Sequence, residues 1–152
     1  MQQIRIEQVT KRFGQLEVLS GIDFTIEKGE FAAIVGPSGC GKSTVLRMIA
    51  GLDKPSEGRV LAGGKPTDKP SPERVLIFQE HALYPWRTVE DNVGFGLELA
   101  KVPPKERRER IDEVLEKVGL SGFQKYYPAQ LSGGMKQRAS IARALVMNPE
   151  VL

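Results

Sequence analysis

The sequence predicts an α/β fold, with an N-terminal antiparallel β portion, a central body and a mostly helical lobe within residues 1–152. Three patterns predict this fold. Apolar and polar residues alternate near the N terminus, a run that is apolar on both faces then leads into a glycine-rich loop and a helix, and charged amphipathic segments follow. A chain of 152 residues is long enough for one compact domain.

The first two strands are predicted from alternation. Ile4 and Ile6 are separated by a polar residue, and the same pattern recurs at Ile22, Phe24 and Ile26. Side chains two positions apart on a strand lie on the same face of the sheet. The alternation therefore indicates strands with one buried face, which is typical of antiparallel sheets.

Further strands are predicted from short apolar runs. Residues 31–35, "FAAIV", are apolar on both faces, as expected of a central strand that is covered on two sides. Residues 75–78, "VLIF", predict another short buried strand. Between them, residues 58–64, "GRVLAGG", predict an edge strand followed by a turn.

The helices are predicted from apolar spacing and from stop signals. Residues 42–51 predict a helix that Gly51 ends, and residues 133–147 predict a second helix. A charged helix ending at Gly119 is predicted between them. Its apolar positions follow the spacing i, i+3, i+4, i+7: Ile111, Val114, Leu115 and Val118.

Composition excludes several classes of protein. The 22 basic and 19 acidic residues leave a net charge of +3, too small an excess to predict nucleic acid as a partner. A single cysteine, Cys40, excludes an internal disulfide and a thiolate metal cluster. Because no apolar run approaches the ~20 residues that span a bilayer, we expect a soluble chain whose role at a membrane comes through a partner. The one histidine, His81, is interpreted as a surface or interface residue.

Residues 36–44, "GPSGCGKST", predict a phosphate-binding loop. Gly36, Gly41, Lys42 and Ser43 fit the pattern G-x-x-x-x-G-K-[ST] between a predicted buried strand and a predicted helix. The glycines let backbone N–H groups converge on phosphate oxygens, and the positive end of the helix dipole points at the same anion. Lys42 is expected to contact the β- and γ-phosphates and the Ser43 hydroxyl to bind Mg²⁺. The whole predicted ATP-binding stretch is Gly36, Pro37, Ser38, Gly39, Cys40, Gly41, Lys42, Ser43 and Thr44.

Two interpretations of Cys40 remain open. The helix N-terminus could favour its thiolate form. Alternatively, the residue is present because it is small enough for the loop.

Residues 131–150, "LSGGMKQRASIARALVMNPE", resemble the ATP-binding subunits of ABC transporters. Leu131, Ser132, Gly133 and Gly134 match the signature motif of that family, and Phe13, the Walker A loop and Gln79 precede it in the family's order. The resemblance covers essentially the whole chain. It implies a P-loop nucleotide hydrolase fold of the ABC type, with ATP and Mg²⁺ as cofactors.

The resemblance also implies a second phosphate contact. In the family, the signature of one subunit faces the ATP held by the Walker A loop of another, so a head-to-tail homodimer is expected. Ser132 can cap the following helix, while Gly133 and Gly134 leave backbone N–H groups open at its positive end. The alternative is an ordinary Ser-Gly helix start.

The family places an adenine-stacking aromatic at Phe13 and a Q-loop glutamine at Gln79. Phenylalanine retains the stacking face of the commoner tyrosine, although a buried aromatic at the end of a strand is the alternative. The Gln79 carboxamide can bind Mg²⁺ or water and sense the γ-phosphate, and it is a catalytic candidate together with Lys42. The alternative is a polar residue that merely ends a buried strand.

Met135 replaces the glutamine that is commoner after the two signature glycines. With residues 78–93, "FQEHALYPWRTVEDNV", it resembles the branch that serves nitrate, sulfonate and taurine importers. Leu83, Tyr84 and Trp86 lie where the family docks its membrane permease. Burial against the chain's own helical lobe is the alternative. The resemblance thus implies permease subunits, indirectly a solute-binding protein, and a place at the cytoplasmic face of the membrane.

ATP hydrolysis needs a carboxylate for Mg²⁺ and a group that orients water. The family carries both at the end of the Walker B strand, which residues 148–152 are expected to begin, and neither lies within this chain. We therefore expect an ABC-type ATPase domain truncated before its Asp-Glu pair, with an incomplete core sheet and with ATP binding but little hydrolysis. The predicted parts are residues 1–81 as the nucleotide-binding body and residues 82–147 as the helical lobe.

Two other functions remain open. One is a non-hydrolysing nucleotide-binding fragment or interaction module. The other is a soluble ABC ATPase outside transport, which the short helical lobe disfavours.

Overall fold

The computed structural model describes residues 2–80 and 82–152, so the expectation for His81 lies outside the described residues. The chain forms two compact units. Residues up to Leu76, together with Val151, make the first unit, and Ile77–Glu150, together with Leu152, make the second.

A four-stranded antiparallel sheet is the main element of the first unit. Its strands are β1 (Gln2–Phe13), β2 (Leu16–Glu27), β3 (Glu57–Ala62) and β4 (Lys65–Pro66), in the order β2-β1-β3-β4. The two long strands pair as a hairpin in which Phe13 faces Leu16 and Lys11 faces Leu19. The antiparallel strands predicted from alternation are therefore confirmed, and Ile4 and Ile6 lie in the core as expected.

Helix α1 (Lys42–Ile49) packs its apolar side into the same core. It ends where Gly51 adopts a positive φ of 76°, with Gly51 N–H bonded to the Met48 carbonyl and Leu52 N–H bonded to the Arg47 carbonyl. This pair of bonds is a Schellman motif, which satisfies the last carbonyls of the helix. A Cβ at Gly51 would lie 2.2 Å from the Lys69 carbonyl oxygen, so glycine is required there for space as well as for conformation.

The predicted strand at residues 31–35 is wrong. The segment is irregular, with Phe31 95% and Val35 87% exposed. A strand needs a neighbouring backbone to bond its N–H and C=O groups. No part of residues 2–80 or 82–152 forms a ladder with this segment, so its apolar composition alone does not make it a strand.

The predicted strand at residues 75–78 is also wrong. Val75 N–H bonds the Val151 carbonyl and Val151 N–H bonds the Glu73 carbonyl, which gives one isolated parallel bridge between Arg74 and Val151. A single rung does not hold a segment extended, and Phe78 is 45% exposed.

The strand predicted within residues 58–64 is confirmed as β3, but it is not an edge strand. Strand β4 pairs with it at Leu61 and Ala62. A strand is an edge strand only if one side of its backbone is unpaired, and side-chain composition does not show whether a two-residue strand will pair there.

The second unit is helical. Helices α2 (Val89–Leu99), α3 (Pro104–Lys117) and α4 (Gly133–Leu145) are its main elements, with a 3₁₀ turn at Pro128–Gln130. The predicted charged helix is α3, in which Ile111, Val114 and Leu115 are buried. The predicted helix at residues 133–147 is α4. Helix α2 has no counterpart among the predicted helices, although Thr88 caps its start by accepting a bond from Asp91 N–H.

One apolar core holds these helices together. Its buried members come from α2, α3, α4, the loop between α3 and α4 and the residue that follows α4: Val89, Val93, Leu97, Ile111, Val114, Leu115, Leu120, Leu131, Ala139, Ala142 and Val146. In the part of the chain that the structure describes, every helix is too short or too polar to cross a membrane.

Candidate nucleotide-binding site

The predicted phosphate-binding loop, residues 36–44, runs directly into α1. Gly41 immediately precedes the helix with a φ of 93°, in the left-handed region that favours glycine. A Cβ there would lie 2.5 Å from Cδ2 of Leu19, a buried residue of β2. The hairpin therefore packs against the last turn of the loop and fixes where the helix begins.

The Lys42 side chain folds back over this loop. Its ammonium donates to the Gly36 carbonyl at 2.8 Å and to the Pro37 carbonyl at 2.6 Å, and it lies 3.6 Å from Cys40 Sγ. The charge is thus held inside the curl of the loop, at the start of α1. An anion entering the curl would meet the ammonium and the positive end of the helix together.

Cys40 contributes to the shape of the loop. A Cβ added to Gly36 would lie 2.8 Å from the cysteine sulfur, so the two small residues pack against each other. The side chain is exposed, as are Pro37, Ser38 and Gly39. This packing supports the interpretation that residue 40 is small because the loop is tight.

The loop fits a triphosphate with its Mg²⁺. The first turn of α1 contains no acidic residue, so nothing there repels an anion. Ser43 is exposed at the start of the helix, where its hydroxyl can bind a metal held by the phosphates. Among the described residues, no group of three acidic, histidine or cysteine side chains could hold a metal by itself.

Phe13 lies at the tip of the β1–β2 hairpin, in the same unit as the loop. The ring is 51% exposed, so the alternative of a buried strand-end aromatic is wrong. Three residues beyond its pairing partner Leu16, the same strand reaches Leu19, whose side chain packs where Gly41 lacks one. An exposed aromatic ring near a phosphate loop is an appropriate platform for a base.

The predicted signature, Leu131, Ser132, Gly133, Gly134 and Met135, forms the start of α4 in the second unit. Ser132 Oγ accepts a bond from Met135 N–H at 3.3 Å, which confirms the expected cap. Gly133 and Gly134 are exposed, and a Cβ added to either would meet nothing within 4 Å, so the helix start is open. Leu131 and Met135 pack against the core, which leaves only their backbone to meet a ligand.

Gln79 lies in a bend at the start of the second unit, with its side chain exposed. It does not end a buried strand, because residues 75–78 are irregular. Its assignment to Mg²⁺ and to the γ-phosphate stays a prediction.

The residues from Leu83 to Trp86, which follow the Q-loop, divide into two kinds. Leu83 packs against the core of its own unit, and the Tyr84 ring is half-buried, with Phe95 at 5.1 Å between ring centroids. Pro85 and Trp86 point outward, and Trp86 is 72% exposed. Both interpretations of this segment therefore apply, to different residues.

The sequence profile of the ABC transporter family matches residues 19–152, most of the chain. The chain belongs to this family. The expected ABC-type α/β fold is confirmed.

Known ABC proteins resemble this chain over nearly its full length. It is 47% identical over 153 residues to an aliphatic sulfonates import ATP-binding protein, SsuB of Bacillus cereus, covering 98% of this chain and 60% of that protein. It is 51% identical over 152 residues to a spermidine/putrescine import ATP-binding protein, PotA of Hahella chejuensis, covering 98% and 42%.

A solved structure supports the fold directly. The dimeric, post-hydrolysis structure of the ATP-binding cassette MJ0796 bound to ADP and Pi has a TM-score of 0.85 and 36% identity, covering 96% of this chain and 70% of that one. The chain spans about half the length of the two relatives above.

Two residues of this ABC domain hold parts of the candidate site in place but are not predicted from the sequence. The first is Asn92, fully buried on α2; its Oδ1 accepts from Tyr84 N–H at 2.7 Å, and its Nδ2 donates to the carbonyls of Tyr84, Arg87 and Thr88. The amide thus holds the loop that carries Trp86. The sequence signal that could have identified Asn92 is a polar residue at a helical position that, from its spacing to Val89 and Val93, is expected to be apolar.

Lys11 is the other. Its ammonium bonds Asp53 Oδ1 at 2.6 Å and the Lys54 carbonyl at 2.7 Å, and it lies 4.8 Å from the centroid of the Phe13 ring. The hydrogen bond from Lys11 lowers the pKa of Asp53. No local sequence signal identifies this cluster, because Lys11 and Asp53 are far apart in the chain.

Proposed function

We propose that this chain is the ATP-binding part of an ABC importer subunit, which binds MgATP and couples its binding and hydrolysis to solute uptake through a membrane permease. The observation that carries the proposal is the Lys42 ammonium, held inside a glycine loop at the N-terminus of α1. The exposed Phe13 ring on the same unit supports a nucleotide over a simple phosphate.

The chain's own residues would do the binding. Backbone N–H groups of residues 39–44 and the Lys42 ammonium would hold the phosphates, Ser43 and Gln79 would contact Mg²⁺, and Phe13 would orient the adenine. The metal neutralises charge on the phosphates. Because no Walker B carboxylate lies within these 152 residues, we expect them alone to bind ATP with little turnover.

The function is tested by titrating the chain with MgATP in a calorimeter. We expect saturable binding of one nucleotide per chain, and the Lys42 variant described in the Discussion supplies the negative comparison. Absence of wild-type binding would remove the basis of the proposal. Phosphate release at the rate of complete ABC subunits would contradict only its statement about turnover.

We further propose that two copies pair head to tail, so that the signature of one meets the ATP of the other. The capped start of α4, with Gly133 and Gly134 open, is an appropriate anion contact that no group of its own chain occupies among the described residues. The similar cassette bound to ADP and Pi is itself dimeric.

Ser132→Arg is expected to spare ATP binding by the monomer. In a longer chain that includes the Walker B strand, the same substitution is expected to block ATP-driven pairing. The long charged side chain would fill the open helix start and remove the cap. Analytical ultracentrifugation with ATP measures the pairing, and Ser121→Arg, at an exposed position after α3, is the matched control. Loss of ATP binding by the monomer would count against the assignment of Ser132 to a partner's nucleotide.

We propose the outward-pointing Trp86, supported by Tyr84, as a contact for the permease. Exposed aromatic side chains are frequent anchors in protein interfaces. Trp86→Ala is expected to lower recovery of the permease with the tagged protein at least about fivefold, without lowering ATP affinity. Tyr127→Ala, another exposed aromatic of the same unit, should leave recovery unchanged. Equal recovery with both variants would place the docking contact elsewhere.

The solute is proposed to be of the nitrate, sulfonate or taurine type, because Met135 and residues 78–93 resemble that branch. The similarity to a sulfonate import protein supports this choice. A polyamine import protein is equally similar, so recognition of the solute is assigned to the permease and to a solute-binding protein. The subunit would act at the cytoplasmic face of the membrane, bound through its permease.

A further inference from the structure

Lys11 occupies an unusual position for a lysine. It lies on β1, its side chain is only 11% exposed, and both of its close polar partners, Asp53 Oδ1 and the Lys54 carbonyl, belong to the segment that follows α1. Burying an ammonium is costly unless partners compensate for the lost water. Here a carboxylate and a carbonyl hold the charge in one place.

The held ammonium faces an aromatic ring. Lys11 and Phe13 are two positions apart on β1, and their side chains lie side by side although the β1–β2 register shifts between Lys11 and Arg12. The nitrogen is 4.8 Å from the ring centroid, within the distance at which a cation is attracted to a π face. The Phe13 residue as a whole nevertheless remains half-exposed. The Lys11 ammonium thus contacts one side of Phe13, and the rest of the side chain is open to solvent.

The hairpin pair that contains Lys11 also contacts the phosphate loop. Lys11 pairs with Leu19, and Leu19 packs where Gly41 has no side chain. The segment that holds the ammonium comes directly after α1, whose first residue is Lys42. The anchor of the ring and the phosphate loop are therefore both attached to the β1–β2 hairpin and to α1.

We propose that Lys11 is a positioning residue for the nucleobase: clamped by Asp53 and the Lys54 carbonyl, it fixes the Phe13 ring so that the open face receives adenine. This inference rests on the proposed ATP-binding function and adds to it a residue that sets affinity for the base but not for the phosphates. The competing explanation is that Lys11 only ties β1 to the end of α1.

The test compares two ligands on the same variants. Lys11→Met keeps an unbranched side chain, one atom shorter, and removes its charge, and Lys11→Arg keeps a cation. Each variant is titrated with MgATP and with magnesium tripolyphosphate, which lacks the base. We expect Lys11→Met to weaken ATP binding about five- to tenfold, to change tripolyphosphate binding less than about twofold, and Lys11→Arg to recover most of the loss.

Three further variants keep the result interpretable. The double variant Lys11→Met with Asp53→Asn also removes the carboxylate that loses its partner, in case the single variant unfolds. It should likewise weaken ATP binding and leave tripolyphosphate binding nearly unchanged. Phe13→Ala should lower ATP affinity similarly, and adding Lys11→Met to it should cost nothing more, because the lysine acts through the ring.

The outcomes separate the two proposals. A wild-type chain that binds neither ligand would overturn the ATP-binding function and this inference with it. If the wild type binds both ligands but Lys11→Met keeps full ATP affinity, or loses both ligands equally, Lys11 is only a structural tie and the inference fails alone. If Phe13→Ala leaves ATP affinity unchanged, the base is held elsewhere and the inference also fails.

Discussion

Lys42→Ala is expected to abolish measurable binding of MgATP while leaving the far-UV circular dichroism of the chain nearly unchanged. Lys42 is the only charged residue in the sequence of the loop, residues 36–44, and its ammonium donates to two carbonyls of that loop. In the proposed complex it exchanges two carbonyl partners for phosphate oxygens. The side chain is not part of the apolar core, so the fold does not depend on it.

The size of the effect follows from the chemistry. A hydrogen bond to a charged group contributes about 1.5–3 kcal/mol, and each 1.4 kcal/mol is tenfold in affinity. Lys42 would contact more than one phosphate oxygen, so we expect a loss of at least about a hundredfold. Isothermal calorimetry with the wild type and the variant at the same salt concentration measures it.

Two variants serve as controls. Lys65→Ala removes an exposed lysine of β4 and should leave binding unchanged. Lys42→Arg keeps the charge but brings a planar fork in place of a compact ammonium, so we expect partial binding only. Should Lys42→Ala bind MgATP as the wild type does, the phosphates are held outside the loop.

The parts of the fold that the sequence predicts well are those determined locally. The end of α1 at Gly51, the end of α3 at Gly119 and the cap of α4 by Ser132 each depend on residues within one turn of the helix. The hairpin of β1 and β2 is similarly local, because its strands are adjacent in the chain. Alternation and helix stop signals are sufficient for such elements.

The two wrong strands depend on distant partners. Residues 31–35 and 75–78 have the composition of buried strands, but whether they become strands is decided by a neighbouring backbone elsewhere in the chain. Among the described residues, that neighbour is missing for the first segment and reduced to Val151 for the second. Hydrophobicity predicts which segments could be buried and not which of them are paired.

The candidate site divides in the same way. Its phosphate loop is a contiguous motif whose spacing carries the chemistry, so every member follows from the sequence alone. Lys11, Asp53 and Asn92 act through contacts that the fold creates. Asn92 at least interrupts an apolar helix face, whereas Lys11 resembles any lysine on a strand until its ammonium is seen beside Phe13.

The second large expected effect is on stability. Asn92→Ala is expected to destabilise the helical unit by about 2–4 kcal/mol, because it leaves polar groups without hydrogen-bond partners. The Tyr84 N–H and the Arg87 carbonyl, which are part-buried, lose the bonds they make to the fully buried Asn92 amide. Trp86 is the only tryptophan of the chain, so its fluorescence during denaturant unfolding reports on this unit. Glu109→Ala, on the exposed side of α3, is the control and should shift the midpoint little.

Asn92→Asp distinguishes the loss of donors from the loss of volume, since the side chains have nearly the same shape. The introduced carboxylate would still accept from Tyr84 N–H but would face three carbonyl oxygens, and burial would raise its pKa above the usual value. A raised pKa in the folded state means that the ionised form is disfavoured there, so the penalty is present above that pKa and is relieved as the pH falls through it and the group gains a proton to donate. We therefore expect this variant to be closer to wild-type stability at about pH 4.5 than at about pH 7.5, measured relative to the wild type at each pH. A variant as stable as the wild type at both pH values would mean that Asn92 acts by filling space and not by bonding the loop.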